Sequence, residues 1–208
     1  MVTMSVFTRD DERRISAAIA NAERATSGEI IAVVARRSDS YLHVPFLVAA
    51  MVALLVPWPL IYFTWLPMQW VYAAQLLAFA VLLVLTWPPG VRMWFVPASV
   101  KRAHAHRRAV EQFLAQNLHT TDGRTGVLIF VSLAEHYAEV LADRGIHAKV
   151  RDGTWQDIVD RLTADLSQDR PADGFVTAIE TCGTLLAEHF PPGSSDPNEL
   201  PNHLIVLT

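Results

Sequence analysis

Four residues stand out as able to do chemistry together. Asp122 lies in the loop from Thr120 to Gly126, ahead of an apolar run from Val127 to Ser132. Glu135 follows that run, and Asp143 and Arg144 open the turn Asp143-Arg144-Gly145. If these segments form adjacent ends of one sheet, two or three carboxylates meet. Calcium accepts such oxygen ligands, which makes Asp143, Glu135 and Asp122 the candidate metal ligands. In the competing reading, Arg144 pairs with a carboxylate and Asp143-Arg144-Gly145 closes a turn. Asp39, Asp152 and Glu199 are further candidates.

Other chemistries lack their residues, and no catalytic nucleophile emerges. The chain has 1 cysteine, Cys182, so an internal disulfide and a Cys-rich metal site are excluded. Cys182 is followed by Gly-Thr-Leu-Leu-Ala-Glu, without the Arg that ends a cysteine phosphatase loop. It falls in a helical apolar pattern and reads as packing. There is no Gly-Lys-Ser/Thr phosphate loop, no His-Glu-x-x-His and no Gly-x-Ser-x-Gly elbow. His104 and His106 are two apart, so they point to different sides of a helix and do not chelate together. They belong to a basic, solvated face suited to anionic lipid. The net charge of −4 argues against nucleic acid as a partner.

These residues must be positioned by what surrounds them, and the dominant element is apolar. From Val44 to Trp87 there is no Asp, Glu, Lys, Arg or His. The stretches 44–63 and 70–87 are each about as long as a membrane-spanning helix, roughly 20 residues. The link Thr64–Gln69 allows only a tight turn, so the two form a helical hairpin. Trp65 and Trp70 mark one end and Trp87 and Trp94 the other, as membrane-interface aromatics do. Pro57 and Pro59 should kink the first span. Ala73, Ala74, Ala78 and Ala80 should let the second approach it closely. The alternative is a helical pair buried in a large soluble core. The apolar run starts too deep in the chain for a signal peptide.

Basic residues flank the hairpin on both sides (Arg36, Arg37, Arg92, Lys101, Arg102, Arg107, Arg108) and are absent from its turn. The positive-inside rule then places both termini and the soluble part in the cytoplasm, with the hairpin in the cell inner membrane.

The rest is a soluble domain in two pieces, 1–40 and 97–208. Thr8 with Asp11 looks like a helix start. Gly28 suits the left-handed position past the helix end. Glu29–Ala35 and Val127–Ser132 read as strands buried on both faces. A helix is expected from Pro97 to about Leu118. Glu135–Ala142 reads as a short helix or extended turn, and Ile146–Val150 as a half-buried strand. Thr154 should cap one helix and Pro171 open another. His203–Leu207 reads as an edge strand. The alternation predicts an α/β/α sandwich around a mixed sheet, interrupted by the transmembrane hairpin.

Several blocks, in order, resemble the TPM domain family: Glu23-Arg-Ala-Thr-Ser-Gly-Glu-Ile30, Thr125–Ser132, Ala142-Asp-Arg-Gly-Ile146, Trp155–Val159, Gly174–Pro191 and Asn198-Glu-Leu-Pro201. Asp143, Arg144 and Gly145 match the family's turn. The hairpin departs from better-known members, which carry a signal peptide. The resemblance implies a Rossmann-like α/β/α fold and roles in assembling or repairing membrane complexes. It also implies calcium binding and weak acid phosphatase activity, as reported for some members.

Two functions are therefore expected. One is a non-catalytic, membrane-anchored accessory of a membrane complex, with the bilayer and membrane proteins as partners. The other is a membrane-tethered phosphatase assisted by calcium or magnesium. The hairpin is also a candidate surface for oligomerisation.

Overall fold

A computed structural model describes residues 7–147, 149–150, 153–192 and 200–207. In chain order its elements are α1 (Arg9–Glu23), β1 (Glu29–Ala35), α2 (His43–Leu55), α3 (Pro57–Phe63), α4 (Met68–Thr86), α5 (Pro89–Trp94) and α6 (Ala98–Ala115), then β2 (Gly126–Ser132), β3 (Tyr137–Ala142), α7 (Arg144–His147), α8 (Thr154–Ser167), α9 (Pro171–His189) and β4 (Leu204–Leu207). The chain divides into two units, 39–101 and the remainder.

The larger unit holds a four-stranded mixed sheet in the order β3-β2-β1-β4. β1 and β2 pair in parallel from Glu29–Gly126 to Ala35–Ser132, and every residue of both is buried. Continuous apolar runs suit strands covered on both faces. Ile30, Ala32, Val34, Val127, Ile129 and Val131 pack into one cluster with α1, α8 and α9. The alternate residues Ile31, Val33, Leu128 and Phe130 pack with Ala109 of α6 and Leu118. Side chains that alternate along a strand thus feed two separate cores. β4 lies parallel to β1 at the edge, as expected.

α1 begins on a capping box: the Thr8 side chain accepts from the Asp11 N–H, and Asp11 accepts from the Thr8 N–H. α9 begins with Pro171 at its first turn, where a missing N–H costs nothing. Phe175, Ile179, Cys182 and Leu186 form its buried stripe.

Four local expectations are corrected. Glu135–Ala142 is neither helix nor turn throughout, because Tyr137–Ala142 is a strand antiparallel to β2. Ile146–Val150 is not a strand. The Asp143 carbonyl accepts from both the Ile146 and His147 N–H groups and winds the chain into a helical turn; Ala148 lies outside the described residues. Ile146 and Val150, both buried, have a spacing that serves a helical turn as well as a strand. Gly28 has no left-handed φ, since α1 ends earlier on a right-handed Arg24. Its place is steric: a Cβ there would lie 3.0 Å from Leu186 Cδ1 and 3.2 Å from the Thr125 carbonyl. Thr154 is the first residue of α8, whose cap is Gly153 at φ 101.

In the smaller unit, His43–Phe63 and Met68–Thr86 are long and apolar enough to cross a membrane, with mean hydropathy 2.3 and 1.9. α2 packs along α4. Pro57 ends α2 where its missing N–H interrupts the ladder, although Val56 keeps helical angles (φ −56, ψ −42). The buried small residues are Ala49 and Ala53 of α2, in line with Pro45. On α4, Ala73 and Ala80 are exposed. Ala74 and Ala78 are half-buried, so half of the expected α4 set lies away from the outer surface, and Ala49 and Ala53 add small residues on α2. Met51, Leu54, Leu55, Leu77 and Val84 face outward, and Trp65, Trp70, Trp87 and Trp94 are all exposed.

Candidate functional site

The two ends of β2 carry the polar residues singled out by the sequence, and they are different places. At the carboxyl ends of β1 and β2, the Leu133 N–H donates to the Ala35 carbonyl and the Ala134 N–H to the Arg36 carbonyl. This carries the chain across the sheet and turns Glu135 inward, where it is buried. Its Oε1 accepts from the Ser38 N–H at 3.0 Å. Its Oε2 accepts from the Ser132 hydroxyl. The Ser38 hydroxyl in turn meets Ser132 Oγ at 2.8 Å. Both carboxylate oxygens are engaged, and the network ties the chain after β1 to the end of β2.

Asp143 stands at the opposite end. Its N–H donates to the Gly126 carbonyl at 2.9 Å, where the antiparallel ladder closes. β2 has 7 residues, so the two ends are about 20 Å apart at a rise of ~3.3 Å per residue. Glu135 and Asp143 do not share an ion, and the expected three-carboxylate set is split. The physical reason is direction: because β3 runs back along β2, a residue before β3 and a residue after it fall at opposite sheet ends. The backbone of Asp122 lies in the helical turn Asp122–Arg124, which packs against α7 on the Asp143 side. The Asp122 side chain lies outside the described residues, as do Asp152 and Glu199. Asp39 is used locally, its Oδ1 accepting from the Ser40 and Tyr41 N–H groups. Among the described residues no three His, Cys, Asp or Glu side chains are grouped to hold a metal.

At Asp143, Oδ1 accepts from the Arg144 N–H at 2.6 Å, while Oδ2 is buried with no hydrogen-bond partner. The carboxylate is met by the Arg144 backbone, and the Arg144 side chain is exposed. Gly145 explains the turn's glycine: a Cβ there would lie 2.6 Å from both the Gly123 and Arg124 carbonyls. The histidines separate as their spacing predicted, with His106 Nδ1 lying 2.9 Å from Glu139 on β3. Burial pushes the Cys182 thiol up to about 12, which suits a core residue.

Two features escaped the sequence reading. Arg92 looks like a flanking charge, yet it is buried and its guanidinium donates to backbone carbonyls within the hairpin unit. Glu23 ends α1 with its Oε1 accepting from the Ile30 N–H at 3.0 Å. Burial pushes its carboxyl up to about 8; the Ile30 hydrogen bond opposes the rise and the neighbouring Glu29 charge adds to it. The only signal for this pair was two glutamates flanking one helix-to-strand step.

A mixed four-stranded sheet with a core on each face makes the larger unit an α/β domain. Residues 90–185 match the family model described as TPM domain. That match contains the blocks Thr125–Ser132, Ala142–Ile146 and Trp155–Val159, whereas Glu23–Ile30 precedes it and Asn198–Pro201 follows it. No curated protein matches the chain. Among solved structures it is similar to the NMR structure of the BA42 protein from the psychrophilic bacterium Bizionia argentinensis. The identity is 21%, covering 99% of this chain and 98% of that one, at a TM-score of 0.63. At that identity the likeness concerns the fold.

Proposed function

We propose that the chain is a membrane-anchored TPM domain, a non-catalytic accessory in the assembly, repair or regulation of a membrane complex. The supporting observation is the outward face of the hairpin unit. Leu54 and Leu55 are each 65% exposed, Met51 68% and Phe63 86%. Water does not tolerate so large a contiguous apolar surface, whereas a bilayer or a membrane partner covers it. The hairpin spans the inner membrane, and the basic flanks hold both termini and the α/β domain in the cytoplasm. Other membrane proteins, or a second copy through the hairpin, are its partners. The fold of the domain then serves as a rigid contact surface, in a sandwich of the Rossmann-like kind.

The test is made on the full chain in its membrane. It should resist alkaline carbonate extraction. With Cys182→Ala as background, Met68→Cys should react with an impermeant maleimide from outside and Ser99→Cys only after lysis. Release by carbonate, or the reverse labelling pattern, would sink the anchoring or its orientation. Cross-linking in the same membranes should give a complex larger than the monomer.

A second reading rests on one atom, the unpartnered buried Oδ2 of Asp143. Such an oxygen suits calcium or magnesium in a metal-assisted phosphatase. Aryl-phosphate hydrolysis that needs the ion and is lost in Asp143→Asn, with folding intact, would favour it over the accessory role.

A further inference from the structure

We infer that the outer edge of β4 takes up an extended, acidic segment of a partner protein as a fifth strand, with carboxylates at alternate positions facing Arg9 and Arg13 of α1. β4 pairs with β1 and, among the described residues, with no strand on its other side. The Leu207 carbonyl accepts from the Arg36 N–H at 3.2 Å. Leu207, and Ile205 two residues before it, therefore turn their backbone groups to β1. Leu204 and Val206 alternate with them and turn theirs outward. Such a row of open N–H and C=O groups is a template for another strand. The side chains of Leu204 and Val206 lie on the α1 face, where Leu204 joins the core that holds Ile15 and Ile19. Ile205 and Leu207 pack against the opposite core.

A groove of about 650 Å³ runs beside this edge. Leu204 and Val206 line it from the sheet, and the side of α1 that carries Arg9, Glu12, Arg13 and Ser16 lines it from above. Val206 is 42% exposed, an apolar side chain that a passing strand would cover. Arg9 and Arg13 are exposed, and neither side chain makes a hydrogen bond or ion pair among the described residues. Arg14, on the neighbouring face of α1, is by contrast held by Asp173 at 2.5 Å. Glu12 is the single carboxylate of the lining, so the groove is net positive even with His203, at the start of the strand, counted neutral. Spacing sets the pattern of the partner. Arg9 and Arg13 are one helical turn apart, with Cβ atoms about 6 Å from each other. Alternate residues on one side of a strand are ~6.6 Å apart at a rise of ~3.3 Å per residue. Acidic residues two apart in an added strand thus match the two guanidiniums, which meet carboxylates in paired, charge-assisted hydrogen bonds.

The same charges disfavour a second copy of this chain at the edge. Two β4 strands joined antiparallel would set both α1 helices on one side of the joined sheet and bring Arg9 and Arg13 up to their own counterparts. In strand addition the main-chain bonds supply affinity and the side chains along the edge supply choice. Here the choice is for negative charge. Such an edge gives the accessory role its contact surface and rests on that role. Peptide binding tests it apart from membrane extraction, so a failure of one is told from a failure of the other.

The probe is the fluorescein-labelled peptide Ser-Glu-Val-Glu-Val-Thr. It is compared with Ser-Lys-Val-Lys-Val-Thr and with two N-methylated forms of itself, one modified at the glutamates and one at the valines. The full chain in detergent micelles is titrated at neutral pH, with fluorescence anisotropy as the readout. Saturable binding of the glutamate peptide is expected, with the lysine peptide about tenfold weaker or more. One of the N-methylated forms should lose binding, because alternate amides of an added strand face β4. Arg9→Glu combined with Arg13→Glu, both on the surface, should reverse the preference between the two peptides. Val206→Pro should abolish binding while the native ladder keeps its bonds, since the Val206 N–H points away from β1. No saturable binding of the glutamate peptide would overturn the surface. Equally tight binding of the lysine peptide would overturn the acidic class of the partner. Binding that survives both N-methylations and Val206→Pro would overturn strand addition. A dimer that forms without peptide and dissociates in Val206→Pro would give the edge to a second copy and overturn the partner.

Discussion

Arg92 donates from Nη2 to the Trp87 carbonyl at 2.8 Å, holding the end of α4 to the turn that follows it. Nη1 donates to the Ser40 carbonyl, just ahead of α2. One guanidinium therefore ties both ends of the hairpin. The last carbonyls of a helix have no partner within it, and Arg supplies planar, fixed donors where Lys has a single flexible head.

Arg92→Ala should leave these carbonyls without their donor, at a cost of about 1–3 kcal/mol. In detergent the thermal midpoint of the full chain should fall by several degrees, and Arg92→Lys should recover only part of the loss. An unchanged midpoint in Arg92→Ala would show that the clamp contributes nothing.

Gly145 and Gly126 sit where no Cβ fits. A Cβ on Gly145 would meet two carbonyls at 2.6 Å, and one on Gly126 would meet the Leu118 carbonyl at 2.6 Å. Each Ala substitution should destabilise by about 1–3 kcal/mol or more, since backbone must shift. Gly90, within α5, has nothing within 4 Å. Gly90→Ala should be neutral or stabilising by up to about 1 kcal/mol. Urea unfolding of the three variants provides the comparison. A Gly145→Ala variant as stable as Gly90→Ala would contradict the packing.

Glu23 makes stability depend on pH with an unusual sign. Its folded-state carboxyl is raised to about 8 from an ordinary 4.5, chiefly by burial. Between those values the folded state binds the extra proton, so this group's contribution falls as pH rises through the window. The penalty is absent below about pH 4.5 and complete above about pH 8. Glu23→Gln keeps an acceptor for the Ile30 N–H and cannot ionise. It should raise the thermal midpoint at pH 9, change it little at pH 5, and flatten the slope between. A parallel slope in the variant would remove Glu23 as its source.

Cys182 should be silent until the core opens. Burial pushes its thiol up to about 12, so almost no thiolate exists at neutral pH. Native chain should resist iodoacetamide and react on denaturation. Rapid labelling of native protein would mean that α9 opens locally.

Glu135 should behave as structure rather than catalyst. Glu135→Ala removes the acceptor of both the Ser38 N–H and the Ser132 hydroxyl. A loss of about 1–3 kcal/mol is expected in urea unfolding. A stability equal to wild type would show that water replaces the network at no cost.

By itself the sequence determined the local and periodic features. The capping box at Thr8, the two nearly all-apolar strands, the helix beginning at Pro171 and the uncharged hairpin stretch are each encoded within a few residues, through backbone donors or side-chain period. The strand from Tyr137 to Ala142 and the helical turn at Arg144–His147 were decided by tertiary structure. Their short apolar patterns fit more than one conformation, and only pairing with β2 and contact with the loop at Gly123 select among them. The candidate site shows the same division. Residue types made Glu135 and Asp143 eligible ligands of one ion, but the antiparallel return of β3 set them at opposite ends of the sheet. Arg92 and Glu23 could not be read in advance. Their properties come from burial, which depends on residues far away in the chain.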